Sequence, residues 1–213
     1  MDRLVHIVDD DEALCRALDR LIRSIGMSTC CYSSVQEFLT ASRPEIPSCL
    51  VLDVRLPGMS GLDFQANFER FNVRLPVILI TGFADVPMSV RAMKAGAIDF
   101  LTKPFRDQDL LDAIGAALEC DAVRCRSESA FAELRTRFDS LTVREQQVMQ
   151  WVVAGRLNKQ VAGELQLSEV TVKAHRGSLM RKMGVRTLPD LVRCAELLKP
   201  QAGDDVEAAR KSG

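Results

Sequence analysis

LVHIVDDDE, residues 4–12, runs an apolar stretch straight into four acids. The run is short and rich in Leu, Val and Ile, the composition of a strand buried on both faces. Three more stretches repeat the design with other chemistry at the end. CLVLDVRLPG (49–58) delivers Asp53, PVILITG (76–82) delivers Thr81 beside the small Gly82, and FLTKPF (100–105) delivers Lys103. In an open parallel sheet, ligand chemistry collects at the carboxyl ends of the strands. Asp9, Asp10, Asp53, Thr81 and Lys103 at one edge suit a divalent cation and a phosphoryl group.

Between these runs the apolar spacing predicts helices. Leu14, Leu18, Leu21, Ile22 and Ile25 recur on one helical face. Ser34 and Glu37 form a box in which hydroxyl and carboxylate satisfy the free amides of a helix start. Strands are expected at about 4–8, 28–32, 49–53, 77–81 and 99–102, and helices at about 12–25, 34–42, 60–71, 86–95 and 107–119. This alternation implies an α/β unit over 1–119, a doubly wound parallel sheet covered on both faces. Right-handed crossovers then restrict its topology. Asp11 and Glu12 are assigned to the first turn of the first helix, where the dipole favours acids.

Residues 120–139 lack Pro and Gly and are rich in Ala, Arg and Glu, so a helical linker is expected rather than a floppy one. The fifth helix is expected to run on through it, with a break near Ser127–Ser129. The segment 140–199 is different. Thr142 and Glu145 form a capping box for a helix to about 154, closed by Gly155. A short helix over 158–165 and a tight turn precede a longer helix over 169–183, capped by Ser168 and closed by Gly184. A fourth helix spans 187–198. Short helix, turn and longer helix make the helix-turn-helix pattern. The tail, 200–213, has almost no large apolar residue and is expected to be disordered.

On the 169–183 helix, Val172, Leu179 and Met183 share a face with His175 and are expected to point inward. Val170, Lys173, Ala174, Gly177 and Arg181 fall on the opposite side, which is expected to enter the major groove of DNA. Lys173 is the candidate for a guanine contact and Val170 for a thymine methyl. Lys159, Thr171, Arg176 and Lys182 are assigned to phosphates, which position the protein without reading sequence. Gly177 offers no side chain for base readout. Trp151, at helical spacing with Val148 and Val152, is assigned to core.

At 213 residues the chain is long enough for two small domains. Its longest apolar runs are strand-length, too short for a transmembrane helix. No secretory leader is read at the start, and the seven cysteines show no paired CxxC spacing. Reduced thiols in a cytoplasmic protein are expected. The charge is uneven: residues 1–119 carry 12 basic and 17 acidic side chains, and residues 140–199 carry 10 basic and 5 acidic. The acidic part suits a cation-dependent phosphoryl pocket and the basic part a polyanion.

Asp9, Asp10, Asp53, Thr81 and Lys103, in this order, together with LPGMSG (56–61) and MKAGAIDFLTKPF (93–105), resemble the receiver domain of two-component response regulators. SLTVREQQVM and GRLNKQVAGELQLSEVTVKAHRGSLMRKMGV resemble the helix-turn-helix of the LuxR/NarL type. The pairing, with GFADVPMSVRAMKAGAIDF (82–100), resembles the FixJ-type branch of transcriptional response regulators. The resemblance implies strand order 2-1-3-4-5, phosphorylation of Asp53 by a sensor histidine kinase, and a cis Lys103–Pro104 bond. It also implies Mg2+ (or Mn2+) on Asp10 and Asp53, on Asp9 through water and on the backbone carbonyl of Arg55. Thr81 and Phe100 match the family's switch pair. Promoter DNA, a homodimer formed on phosphorylation and RNA polymerase are the implied partners; no membrane partner is implied. Two other classes compete with this reading. A phosphatase-like enzyme with an Asp nucleophile wants an acid two positions after Asp53, where Arg55 stands. A phosphorylation-independent DNA-binding protein would not need the five-residue pocket. The chain is therefore read as a regulator and not as a dedicated enzyme.

Overall fold

The computed structural model describes residues 3–83 and 85–199. Its first part alternates β1 (Leu4–Val8), α1 (Glu12–Ser24), β2 (Ser28–Tyr32), α2 (Val35–Thr40), β3 (Ser48–Asp53), α3 (Gly61–Ala66), β4 (Val77–Thr81), α4 (Val86–Lys94), β5 (Asp99–Thr102) and α5 (Asp107–Asp139). Four helices follow: α6 (Val143–Val153), α7 (Asn158–Leu165), α8 (Glu169–Met183) and α9 (Leu188–Leu198). The chain divides into two compact units after Arg126. The tail expected at 200–213 lies outside the described residues.

In the first unit the strands form one parallel sheet in the order β2-β1-β3-β4-β5. Strand side chains alternate between faces, and each face has its own apolar layer. Val5, Ile7, Val51, Ile78 and Ile80 pack with Leu18 and Ile22 of α1 and with Leu110, Ile114 and Leu118 of α5. Val8, Leu50, Leu52 and Leu79 pack with Phe38 of α2, Phe64 of α3 and Ala92 of α4. Because β1, β3 and β4 are buried along their whole length, polar chemistry can be placed only where they end. β1 pairs with both β2 and β3, in a register that sets Val8 beside Leu52. The ends of β1 and β3 therefore lie side by side, at the switch point of the sheet.

Two expectations need correction. The helix read over 60–71 stops at Ala66. The Asn67 side-chain amide donates to the Asp63 carbonyl at 2.7 Å, the acceptor that the Asn67 backbone N–H would need to extend the helix. That N–H turns to the Phe64 carbonyl instead. The break expected near Ser127–Ser129 is absent, and α5 is one helix from Asp107 to Asp139. Serine is tolerated inside a helix, and no Gly or Pro interrupts residues 120–139. Surface pairs one turn apart, Arg137 with Glu133 and Arg135 with Asp139, support the far end.

The second unit closes on Leu134, Leu141, Val148, Val152, Val161, Val172, Leu179, Met183 and Leu191. Trp151 packs against that core from its edge. Thr142 and Glu145 form the expected capping box, while Ser168 and Thr187 cap α8 and α9. The turn from α7 to α8 passes through Gln166 with φ 55, a left-handed conformation in a residue other than Gly.

Candidate functional site

Asp9 and Asp53, at the ends of neighbouring strands, are almost wholly buried, at 2% and 4% exposure. They share one cation. The Lys103 ammonium donates to Asp9 Oδ2 at 2.7 Å and to Asp53 Oδ1 at 2.6 Å. The other carboxylate oxygens take backbone donors: Asp11 N–H on Asp9 at 2.9 Å and Arg55 N–H on Asp53 at 2.6 Å. Lys103 is itself held by its backbone N–H on the Thr81 carbonyl at 2.7 Å, and the Lys103–Pro104 bond is cis. Burial pushes the Asp53 carboxyl above the ordinary carboxylate range, against the pull of Lys103, and the Asp9 charge adds to the rise. Burial works against the Lys103 ammonium too, but its bonds to Asp53 and Asp9 outweigh that and hold its pKa above the usual value.

Thr81 is fully buried, and its hydroxyl is engaged: it donates to the Phe83 carbonyl at 3.1 Å and accepts from the Phe83 N–H at 3.3 Å. Phe100 is half-buried against the layer that contains Leu79 and Ala92. Asp10 and Arg55 are exposed and line an open cleft of about 680 Å3 with Pro57, Asp85, Met88 and Arg91. Thus Asp9, Asp53 and Lys103 are in direct contact, with Thr81 tied to Lys103 through the backbone. Asp11 takes the cap of α1, accepting from the N–H groups of Ala13 and Leu14.

On α8, Val172, Leu179 and Met183 are fully buried and His175 is half-buried. Val170, at 79% exposure, and Lys173, Ala174, Gly177 and Arg181 all face solvent. Lys159 is exposed on α7. Thr171 is half-buried and shares a hydroxyl contact of 2.8 Å with Ser168. Arg176 spends one of its five donors on Asn158 Oδ1 at 3.1 Å, joining α8 to α7. Lys182, expected on a phosphate, is instead held inside the unit. Its ammonium donates to Glu145 Oε2 at 2.7 Å and to the Ser140 carbonyl at 3.2 Å. A charge committed to a buried carboxylate is not free for DNA.

Residues 5–115 match the family of response regulator receiver domains, and residues 139–195 match the bacterial regulatory proteins of the luxR family. Transcriptional regulatory protein FixJ of Azorhizobium caulinodans is 40% identical over 201 residues, which cover 94% of this chain and 95% of that protein. The chain belongs to the FixJ-type response regulators. Nodulation protein W of Bradyrhizobium diazoefficiens is 51% identical over 195 residues, 92% of this regulator and 86% of that protein. A solved structure of the response regulator StyR is 46% identical with a TM-score of 0.82, covering 92% of this chain and 99% of that one. As a FixJ-type response regulator, the protein is a transcriptional regulator under phosphorylation control, with a histidine kinase upstream and DNA as its target.

Two features of the regulator's pocket escape a reading of sequence. A Cβ on Gly61 would overlap the backbone carbonyl of Asp53, so only glycine lets the start of α3 pass beneath the end of β3. Its N–H bonds the Val54 carbonyl at 2.9 Å. The Arg55 guanidinium lies 4.2 Å from the centroid of the Phe83 ring. Both contacts depend on closeness in space; the Ser-Gly pair at the helix start was the one available sign of the first.

Proposed function

We propose that this response regulator accepts a phosphoryl group on Asp53 and that the modified receiver controls binding of α8 to promoter DNA. The observation that carries the reading is the Lys103 ammonium bonded to both Asp9 and Asp53. Two buried carboxylates and one ammonium leave a negative pocket that a divalent cation would balance, and the ammonium can then turn to a phosphoryl oxygen. An Asp53 oxygen attacks phosphorus while the bond to the donor's leaving atom breaks, giving an acyl phosphate. Lys103 then offers an N–H to a phosphoryl oxygen. For Thr81 to offer its hydroxyl, it gives up its two bonds to the Phe83 backbone, and Phe100 moves towards the space beside it. Val86, Val90 and Met93, apolar and exposed on or at the start of α4, give a dimer formed on phosphorylation a surface to use.

The donors present suit a hard cation. They are carboxylate and carbonyl oxygens, and among the described residues no group of three ligating side chains stands ready as a cage. Magnesium needs only one or two protein carboxylates and keeps several waters. Asp10 and Asp53, Asp9 through water and the Arg55 carbonyl would hold Mg2+, or Mn2+ in its place. The ion would neutralise charge on acceptor and phosphoryl oxygens. On DNA, Lys173 and Val170 reach base edges, Ala174 and Gly177 allow close approach, and Lys159, Thr171 and Arg176 meet phosphates. RNA polymerase is the further partner, and the cytoplasm the place of action. Among the described residues no helix is long and apolar enough to cross a membrane.

The test is labelling with acetyl phosphate in Mg2+. The wild type is expected to take up one phosphoryl group, and Asp53→Asn none while keeping its circular-dichroism spectrum. Undiminished labelling of Asp53→Asn would remove Asp53 as the acceptor.

A further inference from the structure

Two thiols that phosphoryl transfer does not use lie against the acceptor pocket. Cys15 of α1 is buried and Cys31 of β2 is exposed. The Cys15 thiol donates to the backbone carbonyl of Asp9 at 3.4 Å, and the Cys31 thiol to the backbone carbonyl of Cys15 at 3.9 Å. The Cys31 sulfur therefore lies against the residue that carries the second sulfur. Both line a cleft of about 430 Å3, with Asp9, Asp19, Tyr32 and Glu37 also on its wall. A small reagent can therefore reach a sulfur that has a second sulfur at its back.

We propose that Cys15 and Cys31 are a redox-modification site, oxidised by a low-molecular-weight disulfide of the glutathione class to an intrachain disulfide joining α1 to β2. The exposed Cys31 loses its proton to water and attacks one sulfur of the reagent. A mixed disulfide forms, the reagent's S–S bond breaks and one thiolate leaves. Cys15 then loses its proton and attacks the Cys31 sulfur, releasing the second thiolate. Two protein thiols are oxidised and one disulfide is reduced to two thiols. The product has no S–H to offer, so the Asp9 carbonyl loses a donor. Asp9 also holds Lys103 through its carboxylate, so oxidation reaches the pocket and slows labelling. That last effect rests on Asp53 being the acceptor; the disulfide itself does not.

The experiment treats the full chain with glutathione disulfide and maps its cysteines by mass spectrometry without reduction. Cys30 is exposed next to Cys31, so Cys30→Ser is run alongside the wild type. Both are expected to give a Cys15–Cys31 link with the loss of two hydrogens, and Cys15→Ser is expected to stop at glutathione-bound Cys31. Labelling by acetyl phosphate is expected to fall several-fold in the linked protein and to return with dithiothreitol. A Cys30→Ser chain that carries glutathione on Cys31 without forming the link overturns the proposal, as does a link made through Cys30 or Cys49. If the link forms and labelling keeps its rate, the coupling to the pocket is overturned. Absence of labelling before oxidation counts against the acceptor and not against the thiol pair.

Discussion

Each unit of this regulator contains a lysine bonded to a buried carboxylate, at nearly the same distance, yet the two acids are shifted in opposite directions. Lys103 meets Asp53 at 2.6 Å and Lys182 meets Glu145 at 2.7 Å. Burial opposes ionisation of both acids. At Glu145 the Lys182 ammonium, with donors from Ser178 and Thr142, overcomes it and holds the pKa at about 2. At Asp53 burial wins, because the lysine is divided between two acids and Asp9 adds repulsion. The Lys182–Glu145 pair is a finished contact that stabilises its unit. The Lys103–Asp53 pair is left unresolved, with charge that an incoming phosphoryl group and cation would settle.

The largest expected effect probes how closely the unresolved pair is built. Gly61→Ala sets a Cβ against the Asp53 carbonyl. It should destabilise the receiver unit by about 2–3 kcal/mol, the scale of an overpacked interior, and slow labelling. A denaturant midpoint equal to wild type would show that the approach has slack. Next comes the finished pair. The Glu145 pKa lies below its unfolded value of about 4.5, so its contribution is complete above that pH and is lost as pH falls towards 2. Between those limits the wild type should lose about 1–2 kcal/mol that Glu145→Gln does not lose, a figure reduced for the solvent reaching Lys182. Parallel acid titrations of the two would sink this.

The third expectation separates lysines that look alike in sequence. Lys159→Ala should weaken binding to all DNA sequences and lower the salt slope by about one unit. Lys182→Met should leave the slope unchanged and lower stability, because its charge is committed to Glu145. Equal slopes for Lys159→Ala and wild type would place Lys159 off the DNA. The smallest effect is at the proposed acceptor. Asp53 has a raised folded pKa, so its ionised form subtracts stability once pH passes the unfolded value. Asp53→Asn should therefore melt at or slightly above the wild-type temperature at neutral pH. A clear drop would show that Asp53 is a structural contact like Glu145.

The sheet was legible because each strand is an apolar run with a polar end, a pattern set locally. The strand order came through the family resemblance. Helix boundaries failed where a side chain competed with the backbone, as Asn67 does at the end of α3. The break expected at Ser127–Ser129 failed because small polar residues alone do not stop a helix. In the candidate sites, position in sequence separated the outward residues of α8 from Val172, Leu179 and Met183, since a helical period does so. It could not show that Lys182 faces Glu145, 37 residues earlier, or that Gly61 lies beneath Asp53. Those are meetings between elements.

If phosphate on Asp53 governs DNA binding, a DNA titration reads it out. Wild type and Asp53→Asn are each titrated against a duplex chosen by in vitro selection, with and without acetyl phosphate and Mg2+, at one salt concentration. Acetyl phosphate is expected to tighten wild-type binding about tenfold or more, as two tethered modules engage two half-sites, and to leave Asp53→Asn unchanged. Equal affinity of wild type in both conditions, or the same gain in Asp53→Asn, would separate DNA binding from phosphate on Asp53.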